Sequence, residues 1–343
     1  MATAALTTSQ NRPQETQLQQ QESKPFPTRS DIILLLVLIA ISCLAIEAGS
    51  SLFVGRVSKI HQRFDAQRAE ALQVRRSGAG SPSVLLIGNS LLQRGIDLPL
   101  LQQEVGGTAR LTRYAVSNTG YLDWYYGLRR LFHEGSRPDV VIVVLNPQQF
   151  IRNSIASDYA VHSMVDAQDL MMLASDLGSS NTEASTLVAD RASGFYGSRS
   201  DIRVFALQMI LPRFEEVRDL ITPPPPQLPT DEEIATRIAP RMDAIRRVCA
   251  EYGASMMLLV PPALGHDGSE GLKRAAARFG IRVLAPYAPD ELTPDYFSDG
   301  VHLNGQGAAR FTDRVAHLLR SSLGGNPIKP TRDQNARHAP ATP

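Results

Sequence analysis

The chain has 343 residues, and its 35 Lys and Arg almost balance its 34 Asp and Glu, which leaves a formal net charge of +1. This balance excludes the strongly basic footprint of a nucleic-acid-binding protein. Two cysteines, Cys43 and Cys249, are too few for a disulfide framework or a cysteine-based metal site. We also find no P-loop, no complete GxGxxG, no HExxH and no GxSxG pattern.

The amino-terminal part combines a polar tail with one long apolar stretch. Residues 1–31 are rich in Gln, Thr, Ser and Pro up to position 27, so we expect a disordered tail. Residues 32–54 (Ile32 to Val54) are apolar and long enough to cross a hydrocarbon core of about 30 Å, which predicts a transmembrane helix. The small residues Ala48, Gly49 and Ser50 leave a cleaved signal peptide as an alternative, and a buried soluble helix is a third.

Charges in and around this stretch bear on its depth and orientation. Glu47 interrupts the apolar run, and we expect its carboxylate to reach the membrane interface or to be protonated. Basic residues flank both sides of the stretch, with an excess on the carboxyl side that weakly favours a cytoplasmic carboxyl-terminal domain: Lys24 and Arg29 before it, and Arg56, Lys59, Arg63 and Arg68 after it.

The remaining chain divides into a connector, a domain and a tail. Residues 55–82 read as a charged helix followed by a Gly/Ser-rich connector, and residues 83–323 as one globular domain. Residues 324–343 are again expected to be disordered. Within the domain, positions from about 151 to 200 are weakly patterned, which is typical of an insertion of short helices and loops.

Five short apolar runs alternate with helical patterns in the domain and predict a mostly parallel sheet covered by helices. The predicted strands are Val84–Gly88, Leu111–Val116, Val140–Leu145, Met256–Val260 and Ile281–Leu284. The main predicted helices are Asp97–Leu101, Leu122–His133, Ile202–Leu220, one that begins after a Thr230/Glu233 capping box and is kinked or split at Pro240, Gly271–Phe279 and Gly305–Leu323 capped by Asn304.

Residues with suitable chemistry follow three of these strands. Ser90, Gly120 and Asn146 each come just after a different strand, and carboxyl ends of parallel strands share one edge of the sheet. His302 precedes the last helix and can enter from the same side. A serine needs an adjacent base to become a nucleophile, which His302 can supply, and Asp299 lies three residues before that histidine. The backbone N–H groups of Ser90 and Gly120 and the amide of Asn146 are candidate oxyanion donors.

In this arrangement the chain resembles the SGNH/GDSL hydrolase superfamily. The similar blocks are Gly88-Asn89-Ser90, Gly120, Asn146 and the D-x-x-H block from Asp299 to His302, in the family's order over about 240 positions. Two departures are Asn89 where the family commonly has Asp, and Val144-Leu145-Asn146-Pro147 where the family has G-x-N-D. The resemblance implies a flavodoxin-like three-layer α/β/α sandwich and ester hydrolysis or O-acyl transfer, with no cofactor and no metal.

One membrane segment joined to such a domain resembles bacterial proteins that add or remove acyl groups, usually acetyl, on exopolysaccharide or envelope glycans. This implies an acylated carbohydrate or other ester as substrate, envelope biosynthesis proteins as partners, and a single-pass inner-membrane protein whose catalytic domain faces the periplasm. The alternative is a non-catalytic envelope-assembly or polysaccharide-binding protein of the same fold. A nucleotide-binding flavodoxin-like domain is a weaker third hypothesis, since no phosphate-cradling glycine loop follows the first strand.

Overall fold

The structure, a computed structural model, describes residues 28–78, 80–211, 228–265 and 267–324. The two predicted tails lie outside the described residues except for residues 28–31 and 324. The second half of the helix predicted over 202–220 also lies outside them. So does the proline run at 223–226.

The chain forms two compact units, residues 1–45 and 46–343. Helix α1, Arg29–Val57, begins in the first unit and ends in the second. It is three residues longer at each end than the predicted span of residues 32–54. It begins at Arg29 because Thr28 and Asp31 form reciprocal hydrogen bonds across the first turn, an arrangement that satisfies free N–H groups of a helix start. By length and composition alone, its residues 29–56 could cross a membrane.

The second unit has a five-stranded parallel sheet, as predicted. Its strands are β1 (Ser83–Gly88), β2 (Arg110–Ala115), β3 (Val140–Val144), β4 (Ser255–Leu259) and β5 (Arg282–Leu284), in the order β2-β1-β3-β4-β5. All four pairs of neighbours are parallel. This is the flavodoxin-like order, in which the direction of chain progress reverses beside β1 and leaves a crevice at the strand ends.

Helices cover both faces of the sheet. They are α2 (Lys59–Gln73), α3 (Ser90–Gly95), α4 (Leu98–Val105), α5 (Tyr121–His133), α6 (Pro147–Ile151), α7 (Asp158–Met164), α8 (Leu170–Leu177), α9 (Asn181–Ala192), α10 (Gly194–Ile210), α11 (Asp231–Glu251), α12 (Ser269–Ala277) and α13 (Gly305–Leu323). Alternate residues of β1 enter two separate cores: Leu85 and Ile87 pack with α2, α5, α11 and α12, whereas Val84 and Leu86 pack with α3, α4 and α13. The predicted α/β/α layering is confirmed.

Of two local predictions about the helix after residue 230, one agrees with the structure and one differs from it. The capping box of Thr230 and Glu233 is confirmed, but Pro240 does not split the helix, because α11 continues through it to Glu251. Pro removes one backbone hydrogen bond. Ile238 and Met242 on either side of it are fully buried, and this packing keeps the helix together.

Glu47 is part of the second unit. Its carboxylate accepts hydrogen bonds from the Ser193 hydroxyl at 2.7 Å and from the backbone N–H of Gly194 and of Phe195. It therefore caps the start of α10, where free N–H groups and the helix dipole favour a negative charge. The end of the apolar stretch is thus a structural element of the domain, a role that the sequence did not indicate.

Gly88 joins β1 to the loop that carries Ser90, and we expect Gly88→Ala to lower the free energy of unfolding by about 1–3 kcal/mol, the usual cost of overpacking. A Cβ at this position would lie 2.6 Å from the Val144 carbonyl oxygen of the neighbouring strand. Urea titration followed by fluorescence of Trp124, the single tryptophan and fully buried, measures the change. Gly305→Ala is the control, since nothing lies within 4 Å of its Cβ position. Equal stability of the two variants would contradict the expectation.

Candidate active site

Ser90 is the first residue of α3, directly beyond the carboxyl end of β1. The preceding residue, Asn89, is completely buried and caps this helix: its Oδ1 accepts the Leu91 N–H at 2.9 Å. Its Nδ2 donates to the Thr119 carbonyl oxygen at 3.1 Å, in the loop after β2. Asn89 therefore ties the Ser90 loop to the Gly120 loop. An ionised Asp here would have no N–H to donate to that carbonyl oxygen, which is a physical reason for Asn rather than Asp at position 89.

Asp299 and His302 lie in one tight loop before α13. An antiparallel bridge between Phe297 and Leu303 closes the loop, and the Ser298 N–H donates to the His302 carbonyl oxygen at 2.8 Å. Inside it, Asp299 Oδ1 accepts the backbone N–H of His302 at 2.7 Å and of Val301 at 3.0 Å. The three-residue spacing of the D-x-x-H block is thus what lets the carboxylate reach back to the histidine.

The three side chains form a continuous hydrogen-bonded line. His302 Nε2 lies 2.8 Å from Ser90 Oγ, and His302 Nδ1 lies 2.8 Å from Asp299 Oδ2. In neutral His302 the Nδ1–H donates to the carboxylate, which leaves Nε2 as the acceptor for the Ser90 hydroxyl proton. The arrangement has the geometry required of a nucleophile, its general base and the group that orients the base.

Asp299 is held in its charged form. The backbone N–H of His302 is the largest contributor, and together with the imidazole and the Val301 N–H it lowers the pKa of this carboxyl to about 2, against an opposing effect of burial. Arg94 lies 3.5 Å from the same oxygen that His302 contacts, but both side chains are about half exposed, so this ion pair contributes little to stability. At neutral pH the carboxylate is thus available to stabilise an imidazolium.

The structure also places the two other predicted oxyanion donors. Asn146 caps α6 through its Oδ1, which accepts the Gln149 N–H at 3.0 Å, so its Nδ2 is the part of the side chain that can donate to an oxyanion. The Gly120 N–H already donates to Asp123 Oδ2 at 2.8 Å. A side chain at position 120 would approach the Gln149 carbonyl oxygen to 2.8 Å, so close packing of the backbone is one reason for this glycine.

A pocket of about 200 Å³ lies beside the Ser90 and His302 loops. Leu91, Asn146 and Val301 contribute to its wall, together with the segment from Val260 to Leu264 that follows β4. Most of the lining is aliphatic or proline. Leu91 and Val301 adjoin Ser90 and His302 in the chain, so this pocket lies next to the hydrogen-bonded pair of side chains.

The sequence did not indicate that Asp123 and Thr119 contact residues of the site. Asp123, at the third position of α5, could have been found from its spacing to Gly120, which is typical of a helix start. The link between Asn89 and Thr119 has no comparable signal, since it joins loops 30 positions apart. As for metals, no group of three or more His, Cys, Asp or Glu that could hold an ion occurs within the described ranges.

Asp123 gives the site a pH-dependent element. Complete burial raises the pKa of its carboxyl to about 6, although the N–H groups of Ala156 and Gly120 oppose this rise. The unfolded chain ionises this group near pH 4, so the contribution of Asp123 to the free energy of unfolding should fall by on the order of 2 kcal/mol between about pH 4 and 6 and level off above. Urea titrations of the natural chain and of Asp123→Asn over this range measure the difference. Parallel pH profiles would contradict the expectation.

No protein-family model matches the sequence, and no curated protein matches it. Solved structures of similar fold include a lipolytic protein of the G-D-S-L family from Desulfitobacterium hafniense, 9% identical, with a TM-score of 0.36 and coverage of 69% of this chain and 99% of that one. A GDSL-like lipase from Bacteroides thetaiotaomicron is 10% identical, with a TM-score of 0.36 and coverage of 76% and 98%. A family two carbohydrate esterase from Clostridium thermocellum is 11% identical, with a TM-score of 0.35 and coverage of 72% and 66%. Such values are too low to transfer an activity.

Proposed function

We propose that this chain is a serine esterase or O-acyltransferase of the SGNH/GDSL type that forms an acyl-enzyme on Ser90. One observation carries the proposal: His302 lies 2.8 Å from both Ser90 Oγ and Asp299 Oδ2, at the carboxyl edge of a parallel sheet. No metal or cofactor is needed, because the three side chains supply a nucleophile, a base and a charge that stabilises the protonated base.

The reaction follows from this geometry. As Ser90 Oγ forms a bond to the ester carbonyl carbon, its proton moves to His302 Nε2, and Asp299 stabilises the imidazolium. The tetrahedral intermediate collapses, the bond to the leaving alcohol breaks, and His302 returns the proton to that alcohol. Water or a sugar hydroxyl then attacks the acyl-enzyme while His302 takes its proton. When this second tetrahedral intermediate collapses, the bond between Ser90 Oγ and the acyl carbon breaks, His302 returns the proton to Ser90 Oγ, and an acid or a new ester is released.

Charge on the substrate oxygen is stabilised by hydrogen-bond donors that are already in place. Two are the backbone N–H of Ser90 at the start of α3 and the Nδ2 group of Asn146, which lines the adjoining pocket. Gly120 is the third donor in the proposal, and its N–H must first leave Asp123. The proposed oxyanion site therefore uses the donors of Ser90 and Asn146, and that of Gly120 only after its bond to Asp123 is broken.

For the substrate and the location, we propose acyl esters, chiefly acetyl esters, of envelope or exopolysaccharide glycans, with envelope biosynthesis proteins as partners. Helix α1 would anchor the chain in the inner membrane, and the domain of residues 83–323 would face the periplasm. The folded position of two basic flanking residues supports this orientation: Arg63 and Arg68 belong to α2, and Arg68 pairs with Glu134. Without these two, the basic residues that flank the stretch are equal in number, Lys24 and Arg29 before it and Arg56 and Lys59 after it.

A turnover assay separates the two reactions. The full chain in detergent is incubated with an acetylated glycan, and free acetate is measured with and without an added unacetylated oligosaccharide. Release of acetate alone supports a hydrolase, and acetyl transfer to the oligosaccharide supports a transferase. If neither reaction occurs with this glycan or with a small aryl acetate, the proposed chemistry is wrong.

Orientation has its own test. Alkaline phosphatase is active after export to the periplasm, so fusion to the carboxyl terminus should give an active enzyme. A cytoplasmic reporter fused at the same position should then be inactive. The reverse pattern would place the domain in the cytoplasm.

The engaged N–H of Gly120 favours a second candidate function, a polysaccharide-binding or envelope-assembly protein that retains the fold without turnover. In that case acetylated glycan binds, and Ser90→Ala changes neither the binding nor the rate of acetate release. A rate of acetate release that depends on Ser90 excludes this alternative.

A further inference from the structure

A second pocket, of about 300 Å³, lies away from the Ser90 site and has a different chemistry. Four basic side chains contribute to it, and we call this site the arginine pocket: Arg68 of α2, Arg130 of α5, His162 of α7 and Arg191 of α9. Its wall also includes Ser51, Val54 and Gly55 in the last turns of α1. The proposed esterase chemistry uses none of these residues.

Backbone carbonyl groups fix the guanidinium groups in place. Arg191 Nε donates to the Val165 carbonyl oxygen at 2.9 Å, and Arg68 Nε donates to the Ser163 carbonyl oxygen at 3.1 Å. Arg130 Nη1 donates to the His162 carbonyl oxygen at 2.9 Å. Four Nη groups have no hydrogen-bond partner among the described residues: both of Arg191, one of Arg68 and one of Arg130. Donors held in place in this way bind a ligand at a low entropic cost.

The acidic groups around the pocket have partners of their own. Glu134 pairs with both Arg68 and Arg130, and Asp65, which also lines the pocket, accepts the Tyr159 hydroxyl at 2.7 Å. Asp166 pairs with His133, and Asp190 pairs with Arg199. Burial lowers the pKa of Arg191, and the charges of Arg130 and Arg68 act in the same direction while those of Asp166 and Glu134 oppose it. An added anion would favour the charged form of Arg191.

The start of α10 does not offer a competing anion site, since Glu47 occupies it. Guanidinium groups match the oxygens of a phosphate through paired N–H donors better than any other side chain. Counted at 1.5 Å per residue from Arg29, about 30 Å of α1 ends near residue 49, so in a bilayer Ser51 to Gly55 would be at headgroup depth.

We propose that the arginine pocket binds a phosphate group, carried by a lipid headgroup or free in solution. Arg191 supplies the principal paired donors, with Arg68 and Arg130 beside it. A bound headgroup would hold the domain against the membrane surface, in addition to the anchor that α1 provides.

The test measures the thermal unfolding midpoint of the full chain in a neutral detergent, with dihexanoyl phosphatidic acid or inorganic phosphate as the probe. At saturation we expect an increase of about 5 °C for the natural chain. Arg191→Gln should lose the increase, whereas Arg203→Gln, which removes an exposed arginine of α10, should retain it. A larger response to the lipid assigns the source as a headgroup, and equal responses assign free phosphate.

Hydrolysis of an aryl acetate, unchanged in both variants, shows that the Ser90 site is intact and separates this proposal from the proposed function. If Arg191→Gln unfolds at a lower temperature without ligand, Arg191→Lys replaces it, and a weakened phosphate response is then expected. Equal responses of the natural chain and the Arg191 variants, or no response of the natural chain to either probe, would overturn the proposal.

Discussion

Replacing Ser90 with Ala is expected to lower kcat/KM for a small aryl acetate by roughly 10⁴-fold or more, the usual cost of losing a nucleophile that acts with a base. The hydroxyl oxygen is the only non-hydrogen atom removed, and it lies 2.8 Å from His302 Nε2. The variant should fold normally, because α3 is capped by Asn89 and not by the serine. Initial rates at several substrate concentrations measure the effect.

Ser321→Ala is the matched control for this change. Ser321 is exposed on α13, and among the described residues its hydroxyl bonds only to the Leu318 carbonyl oxygen of its own helix. Its kcat/KM should equal that of the natural chain. Comparable activity of Ser90→Ala and Ser321→Ala would mean that the hydrolysis occurs elsewhere.

Replacing His302 with Ala should reduce kcat/KM to a similar level, roughly 10⁴-fold or more below that of the natural chain, because the Ser90 hydroxyl then has no base. Residues that act as one unit are strongly non-additive. The double variant Ser90→Ala/His302→Ala should therefore be no slower than either single variant. The same initial-rate measurements on all three variants give the coupling.

His317→Ala serves as the control here, since His317 is exposed on α13 and far along the chain from Asp299. Its rate should be unaffected. Multiplicative losses in the double variant, of roughly 10⁸-fold, would show that Ser90 and His302 act independently, against the hydrogen bond that joins them.

The parts of the site that could be predicted from sequence are those set by short patterns. The aliphatic run of β1, the turn at Gly88 and the three-residue spacing of Asp299 and His302 are local features, each with one strong structural preference. Their meeting across 212 positions follows from the geometry of a parallel sheet, which brings all carboxyl strand ends to one edge.

What could not be predicted depends on contacts without a sequence period. Whether the Gly120 N–H is free depends on the rotamer of Asp123, and the pattern of residues does not specify it. The region predicted as an insertion of short helices and loops contains helices α7 to α10, but the bounds of these helices were not predicted. Their contacts include ion pairs between residues about 40 positions apart, such as Arg199 with Asp158, and no local sequence pattern specifies such pairs.

The boundary of the amino-terminal helix shows a further limit. Hydropathy predicts a span of residues 32–54, yet positions from Ile46 onward belong to the folded unit, and Glu47 caps a helix there. A carboxylate in an apolar run is normally interpreted by its cost in a membrane. Its partner, the start of α10, lies about 147 positions later in the chain and is not suggested by any motif.

The most direct test of the central claim is covalent labelling by a fluorophosphonate, a reagent that reacts with activated serines. The intact full chain is treated with the reagent, digested and examined by mass spectrometry. We expect one modified serine, Ser90, in the natural chain. We expect no labelling in His302→Ala, because the imidazole that activates the hydroxyl from 2.8 Å away is then absent. An unmodified Ser90 in the natural chain, or equal labelling of the His302→Ala variant, would contradict it.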